Sequence, residues 1–126
     1  KVLNIEALTM VDMARKQIIP AGMKLGKQLA DSVVAKKTAG VDSDVELALA
    51  NKVSGLTKNI SASTDKIEAL LLDAADAGNT EATAKYFRNS VFPAMQTLRA
   101  FADELETVTP AELWPMPTYS ELLFNI

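Results

Sequence analysis

Apolar residues recur along this chain at three- and four-residue steps, in three long stretches separated by short polar breaks. The clearest runs from Thr80 to Val108, where Phe87, Val91, Ala94, Leu98, Phe101, Leu105 and Val108 stand alternately four and three positions apart. Steps of that size keep side chains on one face of an α-helix, so the stretch predicts a helix buried along one stripe. Lys85, Arg88, Arg99, Asp103, Glu104 and Glu106 fall off the stripe and are expected in water. Pro93 lies inside the pattern, where it lacks an amide donor and presses on the carbonyl of Asn89. The period resumes in phase beyond it, which predicts a helix that bends there and continues.

The other two stretches read the same way. Asn4 is a helix cap by residue type, and the first helix is expected over 4–38, with Ile5, Leu8, Val11, Ile18, Leu25, Leu29 and Val33 as its seam. That seam is broken at Arg15 and Gly22, and Pro20 interrupts the helix as Pro93 does the third. Gly22 and Gly26 are expected to let a bulky side chain come close. Thr38 to Asp42 reads as a turn, and Ser43 with Glu46 as a capping box. The second helix, over 43–77, carries Val45, Leu49, Val53, Leu56, Ile60, Ser63, Ile67, Leu70 and Ala74. Gly78 suits a left-handed C-terminal cap, and Asn79 or Thr80 then caps the third helix, over 80–108.

Connections this short make successive helices antiparallel neighbours. The expected fold is all-α, an up-down-up bundle in one domain over 1–126, with helices one and three bent at Pro20 and Pro93. Aligning Arg15 with Arg88 also aligns Ile18 with Val91, Pro20 with Pro93 and Leu25 with Leu98. This correspondence predicts that the two parallel helices bend together at one level of the bundle. Beyond Val108 the prolines change the pattern. Residues 109–117 are expected to be extended through Trp114, Pro115, Met116 and Pro117, because a residue before proline is pushed out of the α region. A short helix over 118–124 follows. Trp114, Pro115, Pro117, Tyr119, Leu122, Leu123 and Phe124 are the candidate docking residues, since so apolar an end is expected to lie on the bundle or on another domain.

Composition narrows the chemistry. The 126 residues are 48% hydrophobic and 6% aromatic, with a net charge of −3. Cysteine and histidine are both absent. That excludes disulfides, thiolate nucleophiles, serine–histidine catalysis and zinc held by nitrogen or sulfur. Lys16, Lys24 and Lys27 share a helix, but the acidic total argues for a solvated face and against a nucleic-acid partner. Asp73 with Asp76, and Asp103 with Glu104 and Glu106, also read as wet surface, since a hard cation needs several converging oxygens. The methionines read as core filler. With no phosphate-binding loop or nucleophile motif, the chain alone is expected to have no catalytic, cofactor or metal site. No run of apolar residues suits a membrane, and the cytoplasm is the expected location. Opening mid-pattern at Lys1, the chain reads as a piece of something longer.

Three stretches together carry a resemblance. IEALTMVDMARKQIIPA (Ile5–Ala21), YFRNSVFPAMQTLRAFADELE (Tyr86–Glu106) and LWPMPTYSELLF (Leu113–Phe124) resemble the C-terminal region of the long-chain type III glutamine synthetases. The proline-broken helix, the V-x-P-A-M-x-x-L-R run and the W-P-x-P-T-Y ending carry it, in the same order and over nearly the whole chain. The resemblance implies a parent enzyme that makes glutamine from glutamate, ammonia and ATP with a divalent metal, Mg or Mn, in large double-ring oligomers. It places the metal- and nucleotide-binding residues upstream of Lys1, so this chain would be a non-catalytic domain. Its implied partners are the catalytic domains of its own chain or of neighbouring subunits, with a regulatory protein as a further possibility. The alternative is a free-standing helical adaptor or interaction module.

Overall fold

The computed structural model describes residues 2–115, and they are helical with no strand among them. Three long rods account for nearly all of them. The first joins α1 (Val2–Met13) through a π-helical turn, Ala14–Ile18, to α2 (Ile19–Ala39). The second is α3 (Asp44–Ala75), and the third joins α4 (Thr80–Tyr86) through a π-turn at Phe87–Val91 to α5 (Phe92–Val108). At each junction the backbone stays right-handed helical, as at Met13 (φ −63°, ψ −42°) and Phe92 (φ −60°, ψ −46°), so each rod is continuous.

The two π-turns are what the apolar period did not reveal. Ile19 donates its N–H to Ala14 O, and Phe92 to Phe87 O, five residues back in each case. Each turn ends two residues before a proline, Pro20 or Pro93. The cause is local: proline cannot donate to the carbonyl four residues back and collides with it, and a widened turn just before the ring relieves that crowding. The alignment of Arg15 with Arg88 maps one π-turn onto the other residue for residue.

Side-chain contacts give the course of the rods. Arg15 pairs with Asp65 and Glu68, Gly22 faces Thr57, Gly26 faces Val53, and Lys36 pairs with Glu46. Rising numbers on the first rod meet falling numbers on the second, so the two are antiparallel. Tyr86 reaches Asp73 and Lys52 reaches Glu104 at 3.7 Å, which makes the third rod antiparallel to the second as well. Ile60, Ile67, Leu98, Leu105, Val53, Val91 and Thr64 are the largest fully buried side chains. Thr64 carries a polar atom into this core, and its hydroxyl is satisfied by donating to Ile60 O at 2.7 Å.

All seven stripe positions of the third helix are buried or half-buried. The first helix differs from the expected seam. Ile5 and Leu8 are 64% and 52% exposed, whereas Ala7 and Ala14 are fully buried. The inward stripe is Ala7, Val11, Ala14, Ile18, Ala21 and Leu25, unbroken at Arg15 and Gly22. Small alanines let the rods approach, and hydrophobicity alone gave their period too little weight. Val45 is likewise exposed, one residue into α3 and above the first full turn of contacts.

The caps divide in the same way. Asn79 caps α4 by accepting from Ala82 N–H at 2.7 Å. Gly40, at φ +75°, ends α2 in a Schellman arrangement, with Val41 N–H on Lys36 O at 2.8 Å and Gly40 N–H on Lys37 O at 3.2 Å. Gly78 is left-handed at φ +96°. The expected capping box does not form. Ser43 occupies the N-cap position without a side-chain capping bond, and the carboxylate of Glu46 is drawn across the turn to the Lys36 ammonium. Residues 109–117 are not extended throughout, because Ala111–Leu113 makes a 3₁₀ turn closed by Leu113 N–H on Pro110 O at 2.9 Å. The expected helix over 118–124 lies outside the described residues.

Candidate functional site

The candidate chemistry is taken up by structure. Asp73 accepts from the Tyr86 hydroxyl at 3.4 Å, and that neighbouring charge adds to partial burial in raising the phenol above its ordinary range. Glu104 faces Lys52. Lys16 pairs with Asp12 and Lys27 with Asp31, both at 2.9 Å along their own helix. Among the described residues no three His, Cys, Asp or Glu side chains are grouped to hold a metal.

The most developed polar cluster joins rods one and two. Arg15 forks onto both Glu68 oxygens at 2.8 and 2.9 Å and also reaches Asp65 at 3.0 Å. The Glu68 carboxyl is held below its ordinary value by hydrogen bonds from Arg15 and by its charge. At the other end of the same two rods, the Lys36 hydrogen bond lowers Glu46. These contacts tie the register of the two helices.

Of the residues expected at an interface, Trp114 is half-buried and, with Leu113, packs on the core, while Pro115 is exposed. Pro117, Tyr119, Leu122, Leu123 and Phe124 lie outside the described residues. Met10 and Met95 join the core as expected, but Met23 is 64% exposed. Sequence reasoning missed two surfaces of unburied apolar side chains. One is the pair Ile5 and Leu8, with Leu72 (68% exposed) at the same end of the molecule by the antiparallel register. The other is an open groove along the outer seam of α2 and α3, of about 870 Å³. The signal for the first was present in the alanines: a stripe through Ala7 and Ala14 turns Ile5 and Leu8 outward.

Comparison with known proteins gives these surfaces a context. The family model of the glutamine synthetase C-terminal domain matches residues 1–37. A glutamine synthetase of Butyrivibrio fibrisolvens is 33% identical over 129 residues, covering 100% of this chain and 18% of that protein. A type-3 glutamine synthetase of Dictyostelium discoideum is 29% identical over 98% of the chain, and a glutamine synthetase of Bacteroides fragilis 26% identical over 98%, again at 18% of each relative's length. The chain thus spans less than a fifth of the curated relatives it matches. With a family model matching its start and glutamine synthetases, one of them type-3, matching along its length, the chain is similar to the C-terminal domain of glutamine synthetases.

Proposed function

We propose that this chain is the non-catalytic C-terminal domain of a cytoplasmic glutamine synthetase, an up-down-up helical bundle that serves packing and assembly. The parent would ligate ammonia to glutamate with ATP and a divalent metal, using residues that lie outside this chain. The observation that carries the packing role is the exposed group Ile5, Leu8 and Leu72 at one end of the rods. Apolar side chains held out by a well-packed core on the other face suit contact with a further protein surface. Fully burying one such side chain contributes at most about 1.5–3 kcal/mol, so the three add to a larger contact surface. The surface they meet is assigned to the catalytic body of the same chain or of a neighbouring subunit.

The test uses the full-length enzyme. Ile5→Asp with Leu8→Asp is expected to weaken assembly while the isolated chain carrying the same changes keeps its helical content, since neither residue is buried here. Unchanged oligomer size and glutamine formation would defeat the packing role. A regulator or an adaptor function would instead show as a separate protein retained by the isolated chain and lost with these substitutions.

A further inference from the structure

The groove between α2 and α3 is floored by small residues, Gly22, Gly26 and Ala30 from one helix and Ala50 and Ser54 from the other. Its rim is apolar and unburied: Met23 is 64% exposed, Val34 65% and Leu47 42%. We propose that the occupant of this groove is the end of the same chain, residues 116–126, which lies outside the described structure.

Three observations favour this occupant. The 3₁₀ turn Ala111–Leu113 lies against α2, and Leu113 and Trp114 pack on the core, so the chain reaches residue 115 beside one of the two helices that form the groove. Reach is sufficient: of the eleven residues of 116–126, three extended ones span about 10 Å, comparable to a helix diameter of roughly 10–12 Å, and eight helical ones cover about 12 Å of the groove's about 22 Å from Ile19 to Val34. The chemistry is complementary. Tyr119, Leu122, Leu123 and Ile126 recur at helical stripe spacing and supply bulky groups for a floor of glycine, alanine and serine. Glu121, the one charged residue of 116–126, falls off that stripe, and Lys58 is the one charged residue lining the groove.

This inference does not depend on the parent's activity, and the chain's lack of cysteine gives a clean test. Leu123→Cys is combined with Ser54→Cys in the groove, or with Arg99→Cys on the exposed side of α5 as control. Under mild oxidation the groove pair is expected to close within one chain at least tenfold faster than the control pair. Equal rates, or a bond formed only between two chains, would overturn the proposal, the second outcome assigning the groove to another copy. Deleting 116–126 is expected to shift the amide resonances of Gly26, Ala30 and Ala50. Their invariance, in a chain that remains folded, would also overturn it.

Discussion

Rods one and two approach closely at Gly22. A Cβ built there would stand 2.4 Å from Thr57 Oγ1, an atom held in place by its bond to Val53 O at 2.8 Å. The space is shared by this small hydroxyl side chain and, at 3.4 Å, by Leu105 Cδ2, a bulky group of the kind the glycine spacing suggested. Gly22→Ala is expected to destabilise by about 1–3 kcal/mol through overpacking, and Thr57→Ala in the same chain should restore much of the loss. Gly26 is the internal control, because its added Cβ would meet only Val53 Cγ1 at 3.9 Å. Gly26→Ala should therefore gain up to about 1 kcal/mol of helix propensity. Urea denaturation of the three variants checks both signs. In the core, Leu105 is fully buried, and Leu105→Ala is expected to cost about 2–5 kcal/mol.

At the scale of elements, caps of similar sequence differ in worth. Asn79→Ala removes a formed capping bond and should cost about 1 kcal/mol, whereas Ser43→Ala removes none and should cost well under half that; thermal melts of the two separate the cases. Pro93→Ala is expected to gain far less than the roughly 3 kcal/mol of an interior proline, because the π-turn at Phe87–Val91 already relieves the crowding. A gain of the full amount would show that the turn does not. These elements also show how much was readable in advance. The stripe from Phe87 to Val108 is strongly apolar at every step, so period alone located it. The stripe through Ala7 and Ala14 is not, because alanine is apolar enough to bury yet too small to stand out beside Ile5 and Leu8. The π-turns were foreshadowed only by the matching of Arg15, Ile18 and Pro20 with Arg88, Val91 and Pro93. A five-residue hydrogen-bond step leaves no composition of its own. The failed capping box turned on Lys36, ten residues from Glu46 and invisible to a local motif.

For the whole molecule, rods one and two are tied near both ends by charge, Arg15 to Glu68 and Lys36 to Glu46. Both carboxyls are held below their ordinary value of 4.5. In the unfolded chain they protonate first as pH falls, so acid favours unfolding. Their contribution should be complete above pH 4.5 and disappear as pH drops through the lowered values. Arg15→Gln and Lys36→Gln together are expected to flatten that part of the stability–pH curve, and added salt to weaken the slope. Stability measured from pH 6 to pH 2 would show it. The same scale explains why the candidate interface was only partly readable: Ile5 and Leu8 became a surface only once the alanines had been placed inside.

The paired π-turns also bear on the length of the chain. One residue in an α-helix is a rotation of about 100°, so a single deletion in α2 or α5 would swing the residues beyond it off the core. Deleting a single residue from Ala14–Ile18 would instead turn a five-residue hydrogen-bond step back into a four-residue one and leave Leu25 and Val33 facing inward. These two turns are thus the places in the rods where a residue can be lost with the least disturbance, and single-residue gaps in related chains should gather there.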